Sequence, residues 1–381
     1  MGIPLLKKYL FRKNKKGYDA LHELFFFFLN SMTDEQKNRM HKKKLFNPGG
    51  DDSLDKRTII KGNITGLFNL NDVKYSWAKP MYQVMVGNFW VPEKVSGLGD
   101  DATMYKNLSP AEQRAYKGVI SFLTFLDSLQ TVNLPNFSDY ITSPEINLLL
   151  AIQSYQEAIH SQSYATILET VVDAKEREEI YYFWRDDKVL LERNEYIGNL
   201  YQQFIDEPSD ANFFRALVAN YLLESIYFYN GFAFFDTLVY NQKMVATGRM
   251  ISYIRRDELT HVTIFANIIK TIEKEFPDIY DARVLEEMMK TAVEQEIKWT
   301  NHIIGNDIPG ISEESTELYT KWLANKRMQT LGRDPLYPDV VKNPYKHLEH
   351  MEDNNSEKTN FFESTVVNYT QSSSMKGSWD F

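Results

Sequence analysis

The chain uses one short pattern twice: Glu157-Ala158-Ile159-His160 and Glu258-Leu259-Thr260-His261. Each sets a carboxylate and an imidazole three residues apart, which on a helix puts both side chains on one face, one turn from each other. A single Glu-x-x-His arises often by chance. Two of them, each inside apolar helical sequence, constrain the chain far more. One such pair from each of two helices, with one carboxylate from each of two others, is the ligand set of di-iron and di-manganese four-helix bundles. The pattern therefore demands two further acids, each on its own buried helix.

Burying a charge without a partner is costly, so a buried helix carries few ionised groups. The helix expected after residue 110 has one acid in its apolar stretch, Asp127, within Phe125-Leu126-Asp127-Ser128-Leu129. The stretch 210–240 is apolar nearly all round, the mark of a central helix, and carries Glu224 within Leu222-Leu223-Glu224-Ser225-Ile226. The candidate ligands are then Asp127, Glu157, His160, Glu224, Glu258 and His261. Carboxylates and imidazoles in that mix suit iron or manganese with open positions. The plain alternative is that Asp127 and Glu224 pair with core arginine or lysine; the doubled motif outweighs it. Tyr164 lies at i+7 from Glu157, on the stripe of Glu157 and His160. Phe228 and Ile254 each lie one turn from a candidate ligand, and Phe232 a turn further. A phenol walled in this way beside an oxidising metal pair could be oxidised to a long-lived radical. Among 23 tyrosines, Tyr164 stands out only because of those ligands.

The rest of the chain reads as helices. Ser109-Pro110-Ala111-Glu112 combines an N-cap, a first-turn proline and a capping box. Ser143-Pro144-Glu145 opens a helix to about Val172. Further helices are expected over 175–204, 210–240, 244–274, 280–303 and 313–330. Another starts near Lys74, carries Trp77, Tyr82 and Met85, and is stopped by Pro92. Nothing alternates at period two over a useful length, so the fold class is all-α. Residues 1–44 form a basic N-terminal extension of unknown role, 45–345 the helical body, and 346–381 a polar, flexible tail. The net charge of −9 argues against a nucleic-acid partner. The absence of cysteine fits a cytoplasmic chain. The apolar run Leu24-Phe25-Phe26-Phe27-Phe28-Leu29 is too short to span a membrane, and no small-residue cleavage site follows it.

With Trp90, Asp127-Ser128-Leu129-Gln130, Glu157 to Tyr164, Glu224 to Phe232 and Arg256-Asp257-Glu258-Leu259-Thr260-His261, the sequence resembles the small, radical-generating subunit of class I ribonucleotide reductase. The resemblance runs over roughly residues 45–330. It implies a ferritin-like bundle, a homodimer, and a partner, the large catalytic subunit, reached through the C-terminal tail. It implies that the six ligands hold two iron ions per subunit as a di-iron-oxo centre, with di-manganese as the other form. It further implies that Tyr164 stores a tyrosyl radical in a pocket of Phe228, Phe232 and Ile254. Trp90, Asp257 and His160 would then carry proton-coupled electron transfer outward, and Tyr369 in the tail would continue it, toward reduction of ribonucleoside diphosphates for DNA precursor synthesis. Many relatives carry serine where this chain has Gly231, and some manganese-using ones carry glycine, so the metal stays open; a manganese form would call for a flavodoxin-like activator. The tail ends Gly377-Ser378-Trp379-Asp380-Phe381, aromatic and acidic as a docking peptide is. Thiol-based ribonucleotide reduction needs cysteines, so this chain is not itself the substrate-reducing subunit. Two other readings share the fold: a di-metal oxidase acting on a small molecule without a radical-transfer partner, and a storage protein, which predicts a much shorter chain.

Overall fold

The computed structural model describes residues 39–348. Among them the regular structure is helical: α1 (Ala78–Gly87), α2 (Leu98–Tyr105), α3 (Pro110–Tyr140), α4 (Pro144–Val171), α5 (Ala174–Asp186), α6 (Lys188–Asp206), α7 (Asp210–Leu222), a π-helical stretch (Leu223–Tyr227), α8 (Tyr229–Tyr240), α9 (Val245–Glu275), α10 (Ala282–Ile303) and α11 (Glu313–Thr330). Extended pairing among the described residues is limited to isolated bridges, Arg39 with Ser209 and Ile60 with Ile141.

The helix starts follow their local chemistry. At α3 the Glu112 N–H donates to Ser109 Oγ (3.2 Å) and the Ser109 N–H donates to Glu112 Oε2 (2.8 Å), with Pro110 in the first turn. At α4 Ser143 Oγ accepts from the Ile146 N–H. Three expectations are corrected. The charged stretch 175–204 is not one helix: Asp187 ends α5 and caps α6, its Oδ1 accepting from the Val189 and Leu190 N–H groups. A short acidic side chain that can bond nearby main-chain donors favours that break over continued helix. The stretch 210–240 is interrupted by the π-helical segment. Pro92 does not stop the first helix, which ends at Gly87; it opens a 3-10 turn, Pro92–Lys94. The helix α2 was not anticipated.

Helices α3, α4, α7 with the π stretch, and α9 form the bundle, and α5, α6, α10 and α11 pack around it. Aromatic rings fill the outer layer: Phe122 meets Trp299 edge-on at 4.7 Å, and Phe125 stacks on Trp184 at 3.8 Å. The segment before α1 straps across the end of the bundle. Lys43 Nζ donates to Asn147 Oδ1 (2.6 Å), and Glu145 Oε1 accepts from the Lys74 and Tyr75 N–H groups. Arg57, buried, lies 3.6 Å from Glu145. Because Glu145 is buried too, Arg57→Ala leaves a charge without its cation and is expected to cost about 3–5 kcal/mol of stability, measured by chemical denaturation. A loss under about 1 kcal/mol would show that the strap is not anchored through this pair.

Candidate metal centre

The candidate ligands arrive from four directions. Asp127 comes from α3, Glu157 and His160 from α4, Glu224 from the π stretch, and Glu258 and His261 from α9. All are buried. They fall into two interlocked groups, each with donor atoms within 4.8 Å of one another: Asp127, Glu157, His160 and Glu258, and Glu157, Glu224, Glu258 and His261. Glu157 and Glu258 belong to both. Each group therefore has one carboxylate and one imidazole of its own, and two carboxylates placed to bridge.

Both imidazoles turn Nδ1 inward. His160 Nδ1 is 3.0 Å from Glu258 Oε1 and 3.3 Å from Glu157 Oε2. His261 Nδ1 is 2.8 Å from Glu258 Oε2 and 3.2 Å from Glu157 Oε1. Their Nε2 atoms face outward, His160 toward Asp257 Oδ2 (3.4 Å) and His261 toward Gln156 Oε1 (3.0 Å). An outer acceptor that takes the Nε2 proton fixes the tautomer with a lone pair on Nδ1, the usual support of a metal-binding histidine.

The electrostatics mark a box built for cations. Among the described residues the ion pairs of these carboxylates are with the two histidines. Burial, then the charges of Glu157 and Glu258, push the Asp127 carboxyl well above its usual range. Burial, then Glu258, does the same to Glu224. Burial works against protonating either imidazole, but the surrounding carboxylates, Glu258 foremost, together outweigh it and both rise well above the usual histidine range. Burial likewise opposes the Glu258 anion, yet the two histidines hold its carboxyl low. Both Asp127 oxygens, Glu157 Oε2, Glu224 Oε2, Glu258 Oε1 and His160 Nδ1 are buried without a hydrogen-bond partner. Orphaned buried acceptors of this kind call for an explanation; two divalent cations, liganded by oxygen and nitrogen, would provide it.

One layer of support was not foreseen. Glu224 Oε1 accepts from Gln130, from Gln153 (2.8 Å) and from Asn220 (3.5 Å). Tyr201 OH donates on to Gln130 Oε1 (2.8 Å). Gln130, Gln153 and Asn220 each sit one turn from a ligand in sequence, at Asp127+3, Glu157−4 and Glu224−4; that spacing was the available signal.

The sequence matches the family model for the ribonucleotide reductase small chain over residues 67–344. The chain belongs to this family. It is 43% identical to the ribonucleoside-diphosphate reductase subunit beta of Treponema pallidum over 90% of this chain and 98% of that one. It is 40% identical to the corresponding subunit of Halalkalibacterium halodurans, over 84% and 93%. A solved ribonucleotide reductase R2 subunit from Clostridium botulinum superposes with a TM-score of 0.80 at 44% identity, covering 82% of this chain and 99% of that one. These relatives establish the chain as a ribonucleotide reductase beta subunit with the ferritin-like helical fold, and favour that reading over a stand-alone oxidase.

In this beta subunit the other residues singled out fall as follows. Tyr164 is fully buried beside Asp127, with its hydroxyl toward that carboxyl. Burial first, then the Asp127 charge, lifts the phenol well above its usual range. Phe228, Phe232 and Ile254 are buried in the same core as Tyr164. Glu224 sits in the π stretch, which ends just before Phe228, and the Phe228 and Phe232 ring centroids lie 6.0 Å apart. Trp90 Nε1 donates to Asp257 Oδ2 (2.8 Å), the oxygen that faces His160, and the Trp90 and His160 rings stack at 6.3 Å. Phe89, 66% exposed, stacks on Tyr155 next to them, and with Val86 and Ile152 they line a pocket of ≈ 120 Å³. No helix among the described residues is long and apolar enough to cross a membrane. Tyr369 and the tail lie outside the described residues.

Proposed function

We propose that Asp127, Glu157, His160, Glu224, Glu258 and His261 hold two metal ions, that Tyr164 stores the radical, and that His160, Asp257 and Trp90 lead from the metals to the surface. The observation that carries this is the pair of interlocked ligand groups sharing Glu157 and Glu258, with both Nδ1 atoms turned inward. The ligand set accepts iron or manganese. We take iron as the working assignment. A Cβ at Gly231 would meet Val119 Cγ1 at 3.0 Å and Phe122 Cζ at 3.2 Å, so glycine lets α8 lie close against α3; this suits the relatives that lack the serine, and manganese with a flavodoxin-like activator is the second form.

A bound pair, once activated by an oxidant, supplies one-electron oxidising power. The chain's part begins at Tyr164. Its phenol gives up one electron and its proton together, since leaving a phenol cation in a buried site is costly. With its own proton expelled by metal binding, the Asp127 carboxylate would be the adjacent group that can take the proton. The apolar surroundings then protect the neutral radical, because they offer no proton and no ready electron. On the outward side Asp257 accepts from Trp90 Nε1 and faces His160 Nε2, so one carboxylate can manage the protons of both rings while an electron passes.

The subunit works as a homodimer with the large catalytic subunit. Residues 346–381 dock on that partner through Trp379 and Phe381, and Tyr369 relays the electron across. Trp90→Phe and Asp257→Asn are expected to retain two metals per chain and the Tyr164 radical, seen by electron paramagnetic resonance, while nucleotide reduction with the large subunit falls more than about 100-fold, at least about 2.7 kcal/mol of barrier. Full turnover by either variant would remove this route. Tyr369→Phe is expected to bind the large subunit normally and to stop turnover.

A further inference from the structure

The wide turn that carries Glu224 is gripped by two arginines from helices that supply no ligand. A π-helical turn gives up the regular i→i−4 pairing of the α-helix and is often found at functional sites. Buried carbonyls there need donors. The Ser225 carbonyl accepts from Arg327 Nε on α11 (3.1 Å). The Tyr227 carbonyl accepts from Arg193 Nη2 on α6. These carbonyls lie one and three residues after Glu224. Both arginines are buried, Arg193 at 1% and Arg327 at 4% exposure.

The two are held in different ways. Arg193 shares its fork with Glu296 on α10, Nε at 2.8 Å and Nη2 at 2.7 Å from Oε1, and its guanidinium lies over the Phe122, Tyr227 and Trp299 rings. Glu296 Oε2 accepts from Asn230 on α8, which also donates to Thr320 Oγ1 on α11. Arg327 lies over the Tyr229 ring at 4.8 Å, and its own carbonyl accepts from Tyr221 OH on α7. Planar guanidinium forks suit such fixed positions better than a lysine ammonium does. Relaxing the turn toward ordinary helical pairing would shift the register by one residue, about 100° of rotation, and swing Glu224 out of its group.

We propose that Arg193 and Arg327 are positioning residues: by locking the wide turn they set the reach of Glu224 into the metal position it shares with His261. This rests on the metal-centre reading above. Because Glu224 belongs to one of the two groups only, the effect should be one-sided, which a general packing role would not produce.

The test uses the full chain, Mn(II) alone as the probe, and two variants of one residue. Arg327→Met keeps length and removes the donor; Arg327→Lys restores one. Mn(II) titration gives the affinities, and anomalous scattering from Mn(II)-soaked crystals gives the occupancy of each position. In Arg327→Met the position with Glu224 and His261 should weaken about 10–100-fold, while the position with Asp127 and His160 keeps its affinity; Arg327→Lys should recover most of the loss. Equal weakening of both positions, or of neither, overturns the proposal. Should Arg327→Met not fold, Arg193→Lys takes its place, since one ammonium cannot serve both Glu296 and the Tyr227 carbonyl in the fork geometry, and the same one-sided loss is required. If the unaltered chain itself binds no Mn(II), the metal-centre reading falls; if it binds two ions and the variants are not one-sided, only the role of the arginines falls.

Discussion

Replacing Glu258 with alanine should empty both metal positions, whereas Asp127→Ala should empty one. Glu258 stands in both ligand groups and Asp127 in one, so the two substitutions remove the same chemistry from different numbers of sites. Loss of a direct ligand should exceed the 10–100-fold typical of outer partners, leaving Glu258→Ala with less than about a tenth of the normal metal content after gel filtration. Metal analysis on the purified chains reads this directly, against two ions per chain in the unaltered protein. Two retained ions in Glu258→Ala would mean that the ligands are wrongly assigned. The sign with pH follows from the same site. The Asp127 and Glu224 carboxyls are raised well above the usual range by burial and neighbouring carboxylates, and both histidines are raised as well. Metal binding must expel their protons, so affinity should rise with pH and uptake should acidify a weakly buffered solution.

Tyr164→Phe should bind both metals and consume oxidant yet show no stable tyrosyl signal, with nucleotide reduction down more than about 1,000-fold, at least about 4 kcal/mol. The hydroxyl it removes faces the Asp127 carboxyl, and the ring that fills the core is kept, so the melting temperature should move by only a few degrees. This makes the variant a clean separation of radical storage from folding. A tyrosyl signal of ordinary intensity in Tyr164→Phe would place the radical on another of the buried tyrosines, with Tyr201 and Tyr227 the first to replace in turn.

What could be read without coordinates were features whose physics is local in sequence. The Glu-x-x-His spacing, the lone acids Asp127 and Glu224 in apolar surroundings, and the caps at Ser109 and Ser143 each depend on a few neighbouring residues, and each is found where expected. What could not be read depends on partners far away in the chain. Arg193 and Arg327 sit in charged, amphipathic stretches and look like solvent-facing residues; only the packed helices reveal that their forks turn inward. The π stretch has no composition that distinguishes it from the apolar helix around it. Gln130, Gln153 and Asn220 are neutral, so burial of their amides left no trace of the kind that exposed Glu224 as an isolated charge. Asp187 was legible in principle, as an acid able to cap the helix after it, but the charged sequence on both sides masked the break.

The three amides on Glu224 have a consequence for any metal pair placed here. With Oε1 already accepting from Gln130, Gln153 and Asn220, Glu224 has only Oε2 to offer, while Asp127 has both oxygens without partners. The two ends of the box are alike in residue type and unlike in denticity. Two identical ions would therefore differ in the number of bonds available to them, fill in sequence instead of together, and give two distinct spectroscopic signatures.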